Sequence, residues 1–253
     1  GQSDLPALQA YNYVGSTNID TPVALPADAT LTDLNSNTRE RALDAYASIV
    51  TDLSPTVQSF AGLRTTHVAR SSARSDGSRP LAYAQTVSAP WLALAWSVLP
   101  TTLLYASWGQ GMELEAVPNR PKLFANNGAV LPALKSEQTE LGLKWQAQPR
   151  LLLTAALFSI DKPYADDQQG ATGLPLRVAG GKVARHRGLE LAAWGQVDAQ
   201  WSVQSSLTLL DARFSQALDP ALVDQKITNV PRTKASVFTD YKIAALPGLA
   251  ASA

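Results

Sequence analysis

Two histidines, His67 and His186, are the only imidazoles in 253 residues, and cysteine is absent. Acid–base or hydrolytic chemistry needs a base with a carboxylate or nucleophile beside it. His67 runs from a strand-like stretch towards a polar one, and His186 lies between Arg185 and Arg187. Neither has a carboxylate at triad or metal-ligand spacing. The absence of cysteine removes thiol catalysis, disulfides and cysteine zinc sites. Asp166-Asp167, and Asp20, Asp28 and Asp33, gather oxygen donors but lack the alternating ligand spacing of a calcium loop. "AGGK", 179–182, lacks the spacing and the following helix of a phosphate loop. No catalytic residue, metal site or cofactor is expected, and the chain does not read as an enzyme.

The elements that carry these residues must therefore explain the protein. Charged residues make up 17% of the chain, against roughly 25% in a typical soluble domain. Hydrophobic residues are an ordinary 45%. Ser, Thr, Asn and Gln take the place of the missing charge. Lys plus Arg and Asp plus Glu number 21 each, with no basic stripe, so nucleic acid is not an expected partner. No apolar run is long enough for a transmembrane helix. A soluble all-β protein and a membrane β-barrel remain.

Turn signals recur at Leu53-Ser54-Pro55, Leu99-Pro100-Thr101, Gln148-Pro149-Arg150, Val197-Asp198-Ala199 and Leu246-Pro247-Gly248, about 46 to 50 residues apart. Strand-like segments flank them: 41–52 and 56–69, 87–98 and 101–110, 136–147 and 150–161, 183–196 and 200–214, then 233–245 and 249 onward. Between the pairs lie longer polar stretches at 70–85, 111–134, 162–181 and 215–231. Short and long connections alternate, as in a transmembrane barrel with tight turns at one end and long loops at the other. Four long loops in succession are unusual in a compact soluble domain.

Side-chain alternation agrees. Leu141, Leu143 and Trp145 oppose Glu140, Gly142, Lys144 and Gln146. Trp201, Val203, Leu207 and Leu209 oppose Ser202, Gln204, Ser206 and Thr208, with Ser205 the apolar-face exception. Leu92, Leu94, Trp96 and Val98 oppose Ala93, Ala95 and Ser97, while Val57, Ala61 and Leu63 oppose Gln58, Gly62 and Arg64. "LLLTAALFSI", 151–160, is apolar on both faces. Lipid-out, polar-in barrels produce this alternation, which turns Glu140, Lys144 and Gln146 towards a lumen, with cross-strand partners. Trp96, Trp145, Trp194 and Trp201 lie near the short turns, as in an interfacial girdle. Trp194 shares the parity of Glu190 and is expected to face inward.

In this setting "LLYASWGQG", 103–111, followed by "LPALKSEQTELGLKW", 131–145, resembles the TonB-dependent outer-membrane receptors, most closely their siderophore-receptor group. The matching positions are Tyr105, Ala106, Ser107, Pro132, Glu140, Gly142 and Lys144. "LLLTAALFSIDKPYADD" matches the next family strand and its outer loop. "RGLELAAWGQ" supplies the Gly-x-Glu strand through Gly188 and Glu190, and "NVPRTKASVFTDY" supplies Val230, Pro231, Arg232 and Tyr241. The matches are collinear over about 86 to 248.

The resemblance implies an all-β, antiparallel up-and-down transmembrane β-barrel in a Gram-negative outer membrane. It is expected to be incomplete, with about ten strands where plugged transporters have 22. The family's plug domain and TonB-contacting segment are not visible, and Ala251-Ser252-Ala253 ends in mid-strand. Residues 1–253 are therefore expected to be a partial barrel domain. The implied function is uptake of ferric siderophores energised through TonB, with the siderophore, TonB acting on a plug, and outer-membrane lipid as partners. Aromatic faces and guanidinium groups suit a mid-sized polar chelate. Trp108, Phe124, Tyr164, Arg120 and Arg177 are the expected ligand contacts. The alternatives are another outer-membrane barrel, channel or porin-like, and a soluble β-rich binding or adhesion module.

Overall fold

A computed structural model describes residues 2–5, 16–18, 20–24, 36–74, 77–120, 122–246 and 248–253. They form one 11-stranded antiparallel sheet in which every strand pairs with its sequence neighbours. The strands are β1 Gln2–Leu5, β2 Ser36–Ser54, β3 Val57–Arg74, β4 Leu81–Leu99, β5 Thr102–Glu113, β6 Leu134–Gln148, β7 Leu151–Gln169, β8 Pro175–Gln196, β9 Trp201–Ala217, β10 Thr233–Lys242 and β11 Ala250–Ser252. The expected meander is present. The four-residue β1 carries no alternation long enough to read from sequence.

One end of the sheet is built by a repeated device. The ladder slips between Asp52 and Ser54, between Ser97 and Leu99, and between Gln146 and Gln148, each time just before a short turn. The carbonyls of Thr56, Thr101 and Arg150 then accept from the amides of Ser97, Gln146 and Gln196, each at 2.8 Å. Gly195 is required in this repeat. Its φ is +132°, and a Cβ there would lie 1.9 Å from the Arg150 carbonyl oxygen. Pro247, in the last turn, lies outside the described residues.

The two faces differ in what covers them. The buried strand residues Thr66, Val68, Val87, Ala89, Leu134, Ala184 and Ala212 all lie on the face that carries Glu140 and Lys144. This is the inner face. The outer face is bare and apolar: Leu43, Leu92, Leu141 and Leu157 are all more than half exposed. From Leu43 to Leu53 the outer face covers about 34 Å of strand, or about 24 Å along the membrane normal at a 45° tilt, close to the usual apolar band. Above it the same face turns charged at Arg41, Arg187 and Asp211, then at Glu137, Asp161, Arg185 and Arg213. Trp96, Trp145 and Trp201 sit on the outer face near the short turns, and the Trp201 ring meets Tyr241 edge-on at 6.2 Å. Trp194 pairs with Gln204 on the inner face, as its parity requires.

The connections at the other end differ from expectation. β3 runs to Arg74 and β4 starts at Leu81; β7 runs to Gln169 and β8 starts at Pro175. The polar stretches 70–85 and 162–181 are therefore mostly strand. Above the bilayer both faces are wet, so a strand there needs no apolar alternation to mark it. The connections at 114–133 and 218–232 remain long. Two prolines mark where ladders open. β4 and β5 pair no higher than Trp91 and Gly109, and the next residue of β4, Pro90, has no N–H to donate. β6 and β7 part above Glu137 and Asp161, just below Pro163.

Candidate functional site

The inner face holds two polar regions at different heights. The lower one is built by β5 to β9. Gly142 on β6 is bare because the Tyr105 ring of β5 lies across it, where a Cβ would come within 2.2 Å of the ring. The Tyr105 hydroxyl donates to Glu140 Oε1 at 2.5 Å, and Lys144 Nζ stands 5.4 Å from the same ring. Gln138 adds a bond to Glu140 Oε2 at 3.2 Å. The expected cross-strand partner of Glu140 and Lys144 is thus one shared tyrosine. Glu190 of β8 joins Thr154, Ser206 and Thr208 around the same cavity of about 370 Å³. Two carboxylates against one ammonium leave this lumen wall net negative and able to receive a cationic group.

The upper region lies where β7 and β8 rise beyond the apolar band. Lys162 Nζ pairs with Glu113 at 2.5 Å and stands 5.2 Å from the Tyr164 ring. Lys182 pairs with Asp166 at 3.4 Å. Arg177 lies 3.0 Å from Asp167 and 3.4 Å from Glu115, with its guanidinium carbon 5.4 Å from the Phe124 ring centre. Asp166 and Asp167 therefore serve ion pairs. Among the described residues no acidic and histidine side chains gather as a metal site. His67 faces outward against Thr86 Oγ1 at 2.9 Å, whereas His186 faces inward between Ile160 and Ala212. Asp28 and Asp33 lie outside the described residues.

The five expected ligand contacts are not gathered together. Phe124 and Arg177 meet, and Tyr164 belongs to the neighbouring Lys162 cluster. Arg120 is exposed in a turn of the 114–133 connection, where its carbonyl accepts from the amides of Leu123 and Phe124. Trp108 pairs with Leu92 and Thr139, which puts it on the outer face, away from the others. Two-residue parity with Leu104 and Ala106 was the available signal. Glu113, Glu115, Asn126 and Lys162 were missed because their partners lie on other strands.

A profile of the family described as "TonB dependent receptor-like, beta-barrel" matches residues 2–250. The chain is 31% identical over 166 residues to the probable TonB-dependent receptor BfrD of Bordetella pertussis, a match over 64% of this chain and 22% of that protein. Among solved structures it resembles BauA, the ferric preacinetobactin receptor of Acinetobacter baumannii. That match has 21% identity and a TM-score of 0.70, over 87% of this chain and 32% of the other. It also resembles FauA, the alcaligin outer-membrane receptor of Bordetella pertussis, with 23% identity and a TM-score of 0.68, over 84% and 36%. The chain thus spans between a fifth and two fifths of the length of these proteins.

Proposed function

The chain belongs to the TonB-dependent receptor β-barrel family of Gram-negative outer membranes, and we propose that it forms one wall of a receptor that takes up ferric siderophores, energised through TonB. The observation that carries this reading is the division of one sheet into two levels. The lower level has an apolar outer face and a polar inner face. The upper level rises beyond it and carries aromatic rings beside cations: Phe124 with Arg177, and Tyr164 with Lys162. BauA and FauA, which share this fold, are receptors for ferric preacinetobactin and for alcaligin. The negative wall around Glu140 and Glu190 suits a plug domain that presents basic groups inside the barrel. Ligand capture and transport need no catalytic group, so the reading is of a transporter and not an enzyme.

The test uses the full-length receptor with ferric alcaligin and ferric preacinetobactin. Energised uptake of at least one complex is expected, with Phe124→Ala or Tyr164→Ala weakening binding about tenfold. Unchanged affinity in both variants would remove these aromatic residues as contacts. No binding of any ferric siderophore by the intact receptor would overturn the cargo.

A further inference from the structure

The 114–133 connection is a small folded lobe. Ala116 bridges Val130, and the amide of Val117 donates to Ala129 O at 2.9 Å. Gly128 N returns to Val117 O at 3.1 Å, and Leu131 N to Glu115 O at 3.2 Å. Val117, Asn119 and Leu131 are buried. The lobe touches the top of the wall on both sides of the gap that Pro90 opens. Towards β4, Asn119 Nδ2 donates to Arg79 O at 2.9 Å, Arg79 Nη1 donates to Asn127 Oδ1 at 3.1 Å, and Leu81 packs against Gly128.

Towards β8 the attachment is more specific. Asn126 Nδ2 donates to Arg177 O at 2.8 Å, and Arg177 N donates to Asn126 Oδ1 at 3.1 Å. The side-chain amide thus takes the place of one residue of an adjacent strand, at a height β9 does not reach, since β9 first pairs with β8 at Lys182. Ala125 N adds a bond to Pro175 O at 2.8 Å. The Arg177 guanidinium lies between Glu115 of the lobe and Asp167 of β7, with Phe124 against it. The guanidinium is thus held by two ion pairs and a ring within the chain, while its buried Nε is left without a hydrogen bond.

We propose that Asn126 and Arg177 form a latch that fixes this lobe to the β7–β8 hairpin, so that Phe124 sits in a preformed wall of the outer vestibule. Arg177 is then a positioning residue, and the lobe is not a lid that closes on cargo. The placement of Phe124 at a ligand site rests on the functional reading above; the latch itself does not.

Hydrogen exchange of the full-length receptor in micelles, without ligand, tests the latch. In the wild type the amides of Val117, Gly128 and Leu131 are expected to exchange as slowly as upper-strand amides. Asn126→Ala is expected to speed them on the order of tenfold, the effect of losing one or two net hydrogen bonds. Arg177→Lys, which keeps the charge but not the planar group between the two carboxylates, is expected to give a smaller rise. Heat-modifiable migration confirms that each variant is folded. With ferric alcaligin or ferric preacinetobactin, whichever binds, Asn126→Ala is expected to lose no further affinity in a Phe124→Ala background. A purely structural defect would add to it. Fast exchange of the wild-type lobe, unchanged exchange in both variants, or fully additive affinity losses would overturn the proposal. A receptor that binds no ferric siderophore but shows the expected exchange overturns the cargo and supports the latch.

Discussion

The same strands behave as two materials along their length. β6, β7, β8 and β9 are lipid-facing and lumen-facing sheet in their lower parts. There Leu141, Leu157, Leu189 and Leu209 line up across the outer face, and Glu140 and Glu190 look inward. A few residues higher, the outer row reads Glu137, Asp161, Arg185 and Arg213, with Arg185 forked onto Asp161 at 2.6 and 2.9 Å. Backbone pairing continues without a break across this boundary. The solvent changes, and the side chains change with it. In the belt, position is set by transfer from water to hydrocarbon; above it, by ion pairs and amide bonds between neighbouring strands.

That contrast can be broken at single positions. Leu141→Arg and Thr139→Arg place the same charge two residues apart on the outer face of β6. The first is expected to cost the barrel about 2–4 kcal/mol and the second about 0–1 kcal/mol, measured by denaturant unfolding in bilayers. Equal costs would erase the boundary. On the inner face of the belt, Gly142→Leu drives a side chain into the Tyr105 ring. An overpacking cost of about 1–3 kcal/mol is expected, and Tyr105→Ala in the same chain should relieve most of it. The smallest effect belongs to the upper strands. Asp161→Ala leaves Arg185 in water, so a loss of about 0.5 kcal/mol, shrinking at high salt, is expected.

What could be read from sequence follows the same line. The period of two in "TELGLKWQA" placed Leu141 and Lys144 on their proper faces, and the parity of Trp194 turned it inward. Parity also held the correct side for Trp108, whose ring type suggested a ligand contact while its register puts it outside. The upper parts of β7 and β8 read as a loop from sequence, because 162–181 is rich in Asp, Gly and Pro, which mark turns more often than strands. Arg177 was legible as a cation near a loop. Its commitment to Asn126, 51 residues away, was not, because a side-chain amide standing in for a strand leaves no periodic trace.

The division into lipid face and lumen face is tested most directly along β6. This chain has no cysteine, so, with any cysteine elsewhere in the full-length receptor replaced, a nitroxide can be attached singly at positions 138 to 146 in vesicles. Collisions with oxygen, which dissolves in lipid, and with a water-soluble nickel chelate are then compared. Oxygen access peaking at 141, 143 and 145, out of phase with nickel access at 140, 142, 144 and 146, is the expected result. Nickel access on both faces throughout would contradict it and return the chain to a soluble sheet.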